Sequence, residues 1–262
     1  MFRRRSVLIA LTILIVVPAA LALGYRWWRM KNISPVQRGF VVALEKGCFT
    51  CHGPGGLRGA PNPGYAFGDS PAWDGGTVMQ YVENEQEIRE WILDGIPARI
   101  RNSPDAMRPR QDAVIQMPGW RGKISERDLD DLVAFFKALS DFSGTPPEGS
   151  KADEGRLTAW KLGCFSCHGP QGRGTMPNVR AFKGYIPSWD GEDFPELAKD
   201  DREIRDWVLD GGPKRILEHP VARWFIQQQP IKMPAYRGRI EDAEMEAIIA
   251  YIRWLRSPEG KL

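Results

Sequence analysis

Cysteine and histidine are scarce in this chain, four and three among 262 residues. Low-complexity tracts are absent, so the composition is that of a folded protein rather than a disordered one. No stretch alternates apolar and polar residues for long, which argues against a fold built on sheets and leaves no βαβ setting for a thioredoxin-like site. The first 31 residues contain no acid but six Lys or Arg; the remainder holds 30 basic residues against 33 acidic ones, a net of −3. The overall charge of +3 therefore comes from the N-terminus, and nothing points to nucleic acid as a partner.

What is present begins with an uncharged run from Ser6 to Leu23, preceded by Arg3, Arg4 and Arg5 and followed by Tyr25, Trp27 and Trp28. As a helix its 18 residues span roughly 27 Å at ~1.5 Å each, close to a bilayer core. We expect residues 1–31 to be a cytoplasmic stub and a single transmembrane anchor, with the three arginines inside and the rest of the chain outside the cytoplasm. A cleaved signal peptide is the rival, because Ala20-Leu21-Ala22 has the small-x-small form. The run's length and the aromatic pair directly after it favour the anchor.

The rest of the chain matches itself at an offset of 116 residues. "KGCFTCHGP" (46–54) returns as "LGCFSCHGP" (162–170), and these segments hold all four cysteines and two of the three histidines. Gly39 falls on Gly155, Pro61-Asn62 on Pro177-Asn178, and Trp73-Asp74-Gly75 on Trp189-Asp190-Gly191. "IREWILDGIP" lands on "IRDWVLDGGP", and "MPGWRG" on "MPAYRG", without insertion or deletion. So long a period indicates duplicated domains: 32–140 and 154–262, joined by 141–153, whose Pro, Gly and Ser read as an exposed linker. Apolar spacing predicts short helices over 40–46 and 156–162. It predicts one-faced helices on Ile88, Trp91 and Ile92 and on Ile204, Trp207 and Val208, each ending at Asp-Gly. A closing helix carries Leu129, Leu132, Val133, Phe136 and Leu139, repeated as Met245, Ile248, Ile249, Ile252 and Leu255, with Ser125 and Asp128 as a capping box. Each half is mainly α, rich in loops and thin in apolar residues, as if a bulky cofactor completed its core.

Three chemistries compete for the cysteines. Disulfides leave His52 and His168 unexplained. Zinc ribbons bring their second pair some ~15–20 residues after the first, whereas these pairs stand 116 apart. Covalent haem accounts for every member: Cys48 with Cys51, and Cys164 with Cys167, form thioethers to two haem c groups, and His52 and His168 become axial ligands. Among eight methionines, only Met117 and Met233 share a repeat position and a context, each 65 residues past its histidine; we expect them as the sixth ligands. A thioether there leaves no position open for substrate. Met245 faces Leu129 in the repeat and reads as core, while Met79, Met107 and Met176 have no methionine counterpart.

On these motifs each half resembles a class I cytochrome c domain, and the whole resembles the tandem di-haem cytochromes c over about 38–140 and 154–257. The resemblance implies a helical shell in which the first and last helices of each half cross. It implies that Pro61 and Pro177 offer carbonyls to the histidine Nδ1 atoms, and that Trp73 and Trp189 hold a haem propionate or fill the core. The 22 residues from Gly95 to Met117 and from Gly211 to Met233 exceed what compact members carry. In them Arg99 recurs as Arg215, which we expect to make a structural or propionate contact; Arg108 and Arg110 do not recur and belong to a solvated loop or a docking site. His219 has Ser103 as its partner and is expected on the surface or in packing, with no role shared by the two halves. The function implied is single-electron transfer on the periplasmic side of the inner membrane, between or within respiratory or photosynthetic complexes, with redox proteins as partners and no small-molecule substrate. The rivals are a subunit of a larger oxidoreductase and a di-haem peroxidase.

Overall fold

The computed structural model describes residues 2–74, 78, 80–142 and 144–261. Gly75 of the repeated Trp-Asp-Gly and Met79 lie outside them. Two compact units separate at Ile33 and Ser34.

The first unit is built on α1 (Phe2–Met30), one continuous helix through Pro18. It contains the whole Ser6–Leu23 run, but the side chains at 6–11 and 13 lie outside those described. Among the described residues no helix is long and apolar enough to cross a membrane.

The second unit, Ser34–Leu262, holds both repeats. In half one α2 (Pro35–Glu45) leads to α3 (Phe49–His52), α4 (Glu85–Asp94), the short α5 (Ala98–Arg101) and α6 (Pro104–Met107), and the closing α7 (Glu126–Ser140). Half two runs α8 (Lys151–Lys161), α9 (Phe165–His168), α10 (Phe194–Leu197), α11 (Asp201–Asp210), α12 (Lys214–Leu217), α13 (Pro220–Gln228) and α14 (Asp242–Leu255). Extended pairing among the described residues is limited to two bridges, Pro61 with Asp69 and Pro177 with Tyr185. Fold class is thus mainly helical, as the lack of alternation indicated.

Helix starts follow from local chemistry. Ser34, Asn84, Ser125, Ser150 and Asp200 each accept a hydrogen bond from an N–H in the first turn, satisfying donors that a helix leaves free. At Ser125 the donor is Asp128. α4 and α11 stop on Gly95 and Gly211, both left-handed at φ 76° and 79°. The cysteine-proximal helices are longer than their apolar spacing shows, because Ser34-Pro35 and Ser150 start them a turn or more earlier.

The first and last helices of each half pack on each other, α2 on α7 and α8 on α14. Gly39 and Gly155 mark the crossings. A Cβ on Gly39 would stand 1.9 Å from the carbonyl oxygen of Asp131, and one on Gly155 at the same distance from that of Ala247. Only glycine admits such an approach. Around the crossings lie Val36, Val42, Ala43, Leu132 and Phe135 in half one, and Ala159, Ile248, Tyr251 and Leu255 in half two.

The expected linker is exposed at Asp141 and at 147–149, but it is held to half two rather than loose. α8 begins at Lys151, inside it, and Pro146 is buried. Asp141 accepts a hydrogen bond from Gln171 at 2.6 Å, and Gly144 offers its carbonyl to Arg173 at 3.2 Å. The physical reason is Arg173, only 1% exposed: a guanidinium so deep needs acceptors on every side, and it takes them from the linker, Asp190 and Gly260. Ser34, at the start of half one, donates its N–H to Thr175 of half two.

Candidate functional site

Each half has a cavity open to the surface, of about 320 Å3 in half one and about 460 Å3 in half two. Cys48, Cys51, His52 and Met117 line the first; Cys164, Cys167, His168 and Met233 line the second. The short helices α3 and α9 place each cysteine pair and histidine on one turn, tied by His52 N–H to Cys48 O at 3.1 Å and His168 N–H to Cys164 O at 3.0 Å. None of the four cysteines is in a disulfide. Burial pushes the Cys48 thiol up and the Cys164 thiol up to about 11, so both are neutral and neither is a reactive thiolate.

The histidines are oriented by prolines, but not by the expected ones. His52 Nδ1 donates to Pro71 O at 2.7 Å, and His168 Nδ1 to Pro187 O at 3.1 Å. A carbonyl only accepts, so Nδ1 carries the proton and Nε2 keeps a lone pair that could bind a metal. Burial holds both imidazoles below the usual histidine range, against the opposing pull of these carbonyls; the neutral ring is the form that binds a metal. Pro61 and Pro177 do not serve here; each stands ten residues before the proline that does, and they pair with Asp69 and Tyr185 in the two bridges. Pro71 and Pro187 also stand 116 residues apart, a signal the repeat contained.

Their neighbours Asn62 and Asn178 act on the other side of the cavity. Asn62 donates to Ile115 O at 3.0 Å and accepts from Ile115 N–H at 2.8 Å; Asn178 makes the same pair of bonds to Ile231, at 2.9 and 3.3 Å. Each asparagine thus braces the backbone two residues before the methionine. Beyond it, the rest of the Met-Pro motif satisfies helix ends. Trp120 and Arg121 donate their N–H groups to Ile92 O and Leu93 O, and Tyr236 and Arg237 to Val208 O and Leu209 O. These are carbonyls that α4 and α11 leave free at their C-termini. Arg121 then grips Asp94, and Arg237 grips Asp210, each through two bonds of 2.6–2.7 Å. The motif is therefore a latch that holds Met117 and Met233 at the cavity wall, and its Asn and Arg members are residues that reading the sequence for ligands passed over. Met107 also lines the first cavity, without such a latch.

The remaining candidates sort as follows. Trp73 and Trp189 line the cavities and lie against the histidine rings, at 4.8 and 5.1 Å between centroids; they wall the histidine side and join the aromatic core through Phe49 and Phe165. Arg99 and Arg215 do not line the cavities. They pair with Glu87 and Glu203, whose carboxylates are buried, through two bonds each of 2.6–3.0 Å. Arg215 holds Glu203 down to about 2, and Arg99 likewise depresses Glu87. Of their two expected roles, the structural one is what the geometry shows. The arginine that does line the first cavity is Arg110, whose guanidinium lies 5.5–5.9 Å from the rings of Tyr65, Tyr81 and Trp91. His219 does share a role with Ser103: each caps a helix, accepting from Ala222 N–H and Ala106 N–H at 3.4 and 3.3 Å. A ring nitrogen and a hydroxyl oxygen are equivalent as acceptors there.

The cavities fit a large, mainly apolar group carrying acidic edges. In half one the buried Tyr65 hydroxyl lacks a hydrogen-bond partner among the described residues, beside Arg110; in half two Lys183 reaches the wall, held by Asp193 and Glu196. The profile of the family described as cytochrome c matches residues 36–140 and again 152–256. The chain belongs to the cytochrome c family. Its two matched spans each contain one CxxCH, and the protein carries two covalently bound haem c groups. Among curated relatives, it is 28% identical to cytochrome c4 of Azotobacter vinelandii, over 79% of this chain and 84% of that one. It is 26% identical to cytochrome c4 of Stutzerimonas stutzeri, over 48% and 55%. No solved structure matches this member of the family closely.

Proposed function

We propose that this di-haem cytochrome c is a carrier of single electrons, with one station in residues 32–140 and the other in 154–262. The observation that carries the reading is the doubled latch: both cavities hold a histidine with Nδ1 engaged and a methionine held in place from two sides. His52 with Met117, and His168 with Met233, would hold the iron of each haem, and Cys48, Cys51, Cys164 and Cys167 would bind the ring. A bound haem supplies a reversible one-electron couple at its iron. The chain's own residues exclude water, keep each imidazole neutral and aimed, and close the sixth position with sulfur, which favours the reduced state. A methionine sulfur on each iron would leave no place for peroxide, which favours a carrier over an enzyme.

The same reading puts the haem domains on the periplasmic side of the inner membrane, tethered by α1. Supporting it are the uncharged run at Ser6–Leu23, the arginines before it and the Tyr25, Trp27 and Trp28 cluster after it. Partners are then redox proteins, free or as subunits of a respiratory or photosynthetic complex.

The test is optical. Met117→Ala and Met233→Ala should each remove one of two low-spin thioether-to-iron absorptions in the oxidised protein, while Met107→Ala leaves both. If the Met117→Ala, Met233→Ala double variant keeps the band, the ligand assignment fails.

A further inference from the structure

Each cavity has, in its wall, the segment inserted between α4 or α11 and the latch, and there the two halves have diverged. In half two the insertion folds as α13, which buries none of its residues completely. Trp224 on it is 56% exposed and does not line the cavity. Val221 and Phe225 line the cavity, and Phe225 packs edge-on against both Trp224 and Phe182, at 4.8 and 5.0 Å between centroids. Phe182 and Ile231 also line the cavity, and Val179, which does not line it and is 75% exposed, lies three residues from Phe182.

At the matching positions half one has Asp105 for Val221, Arg108 for Trp224, Pro109 for Phe225 and Ala66 for Phe182. Asp105 and Arg108 pair with each other at 2.6 Å, in solvent. The shared fold thus accepts a solvated ion pair where half two displays a tryptophan, so the tryptophan is not there for folding. Clustered large apolar side chains on a surface mark a contact site, and tryptophan is the residue most often at the centre of one. Charge supplies the rest of the description. Residues 219–232 contain no acid, while Arg180, Arg223 and Lys232, chain neighbours of Val179, Trp224 and Ile231, are exposed.

We propose that the α13 rim of the second cavity is the docking surface for a redox protein whose contact face is apolar at its centre and ringed by carboxylates. This rests on the electron-carrier reading above and makes half two the station that meets that partner. A protein fits better than lipid, because the rim is also the wall of a cofactor cavity and covering it with lipid would hold any redox centre away. It fits better than a second copy, because two copies would bring Arg180, Arg223 and Lys232 against their own like charges.

The experiment uses the full-length haem-loaded protein in detergent, reduced, and mixed by stopped flow with an oxidised acidic blue-copper protein that presents an apolar patch. The Val221→Asp, Trp224→Arg variant carries the side chains half one tolerates at these positions. It should react at least about tenfold more slowly, the loss of one interface anchor. Trp224→Ser should fall between it and the wild type, and higher salt should slow the wild type. Asp105→Ser, Arg108→Ser should react at the wild-type rate. Oxidation by ferricyanide should be the same in all of them, which shows that the haems are intact. Wild-type rates with the blue-copper protein in the rim variant, at full haem content, overturn the proposal. So does immersion of a spin label at Trp224→Cys in anionic vesicles, which would make the occupant lipid, or a rim-dependent dimer in sedimentation. If the wild type fails to cycle even with ferricyanide and ascorbate, the carrier reading itself falls, and the docking proposal with it.

Discussion

In half one, the crossing of the first and last helices is held by Phe40 edge-on to Phe135, at 5.7 Å, and by Arg38 gripping Asp131 through bonds of 2.6 and 2.7 Å. In half two the same level has Arg156 for Phe40 and Tyr251 for Phe135. Arg156 turns to Asp153, and the Tyr251 hydroxyl donates to Gln171 O at 2.9 Å. Half one thus closes on itself, whereas half two spends its polar groups on the turn after its haem motif, where Gln171 and Arg173 also hold the linker. At position 57, the counterpart of Arg173, half one has an exposed leucine. Duplication kept the contacts of the cofactor latch and left the surroundings free to specialise: half two became the half that holds the pair together.

That difference can be broken from either side. Arg173→Leu gives half two the residue of half one. It leaves Asp190 and two carbonyls without their donor and should cost roughly 3 kcal/mol, with faster protease cleavage at 144–149; Leu57→Arg should change stability little. The latch should behave alike in both halves. Asn62→Ala and Asn178→Ala should each cost about 1–2 kcal/mol by urea unfolding and weaken the thioether band of its own haem only. A band lost from the other half would show coupling through the linker rather than a local brace.

Smaller again is the response to acid. Glu87 and Glu203 are held below their unfolded values, so their pairs stabilise the fold fully above an unfolded pKa of ~4.3. The contribution disappears as pH falls through the folded value, about 2 for Glu203. Because the arginine partners are partly exposed, Glu203→Gln should cost on the order of 1 kcal/mol at neutral pH, and the gap from wild type should close between pH ~4 and ~2. The smallest effect tests Arg110, for which half two has Ile226. Arg110→Leu removes a cation from the first cavity and should lower the reduction potential of that haem alone, read by redox titration.

Much of the architecture was legible because it depends on neighbours in the chain. Helix ends show in Ser34-Pro35, Ser125 and Gly95, and the haem attachment shows in thiols three apart followed by a histidine. The partners of those groups were not legible. Which of two repeated prolines turns its carbonyl to His52 depends on how the loop after the motif folds back, and Pro61 and Pro71 look equally suitable in a string. Asn62 looked like an appendage to Pro61 until Ile115 came beside it. Ser103 and His219 differ as residue types, yet both cap a helix, because a cap requires only an acceptor at the right place.

The sequence by itself determined that there are two haem c groups, one in each of two helical repeats, since covalent attachment needs only a local pattern. The tertiary structure decided what faces each cofactor cavity: Pro71 and Pro187 rather than Pro61 and Pro177, Arg110 rather than Arg99, and α13 with Phe225 on one side only. The physical reason is range. Thioether chemistry acts over one helical turn, while a hydrogen bond, an ion pair or an exposed patch exists only after distant segments have met.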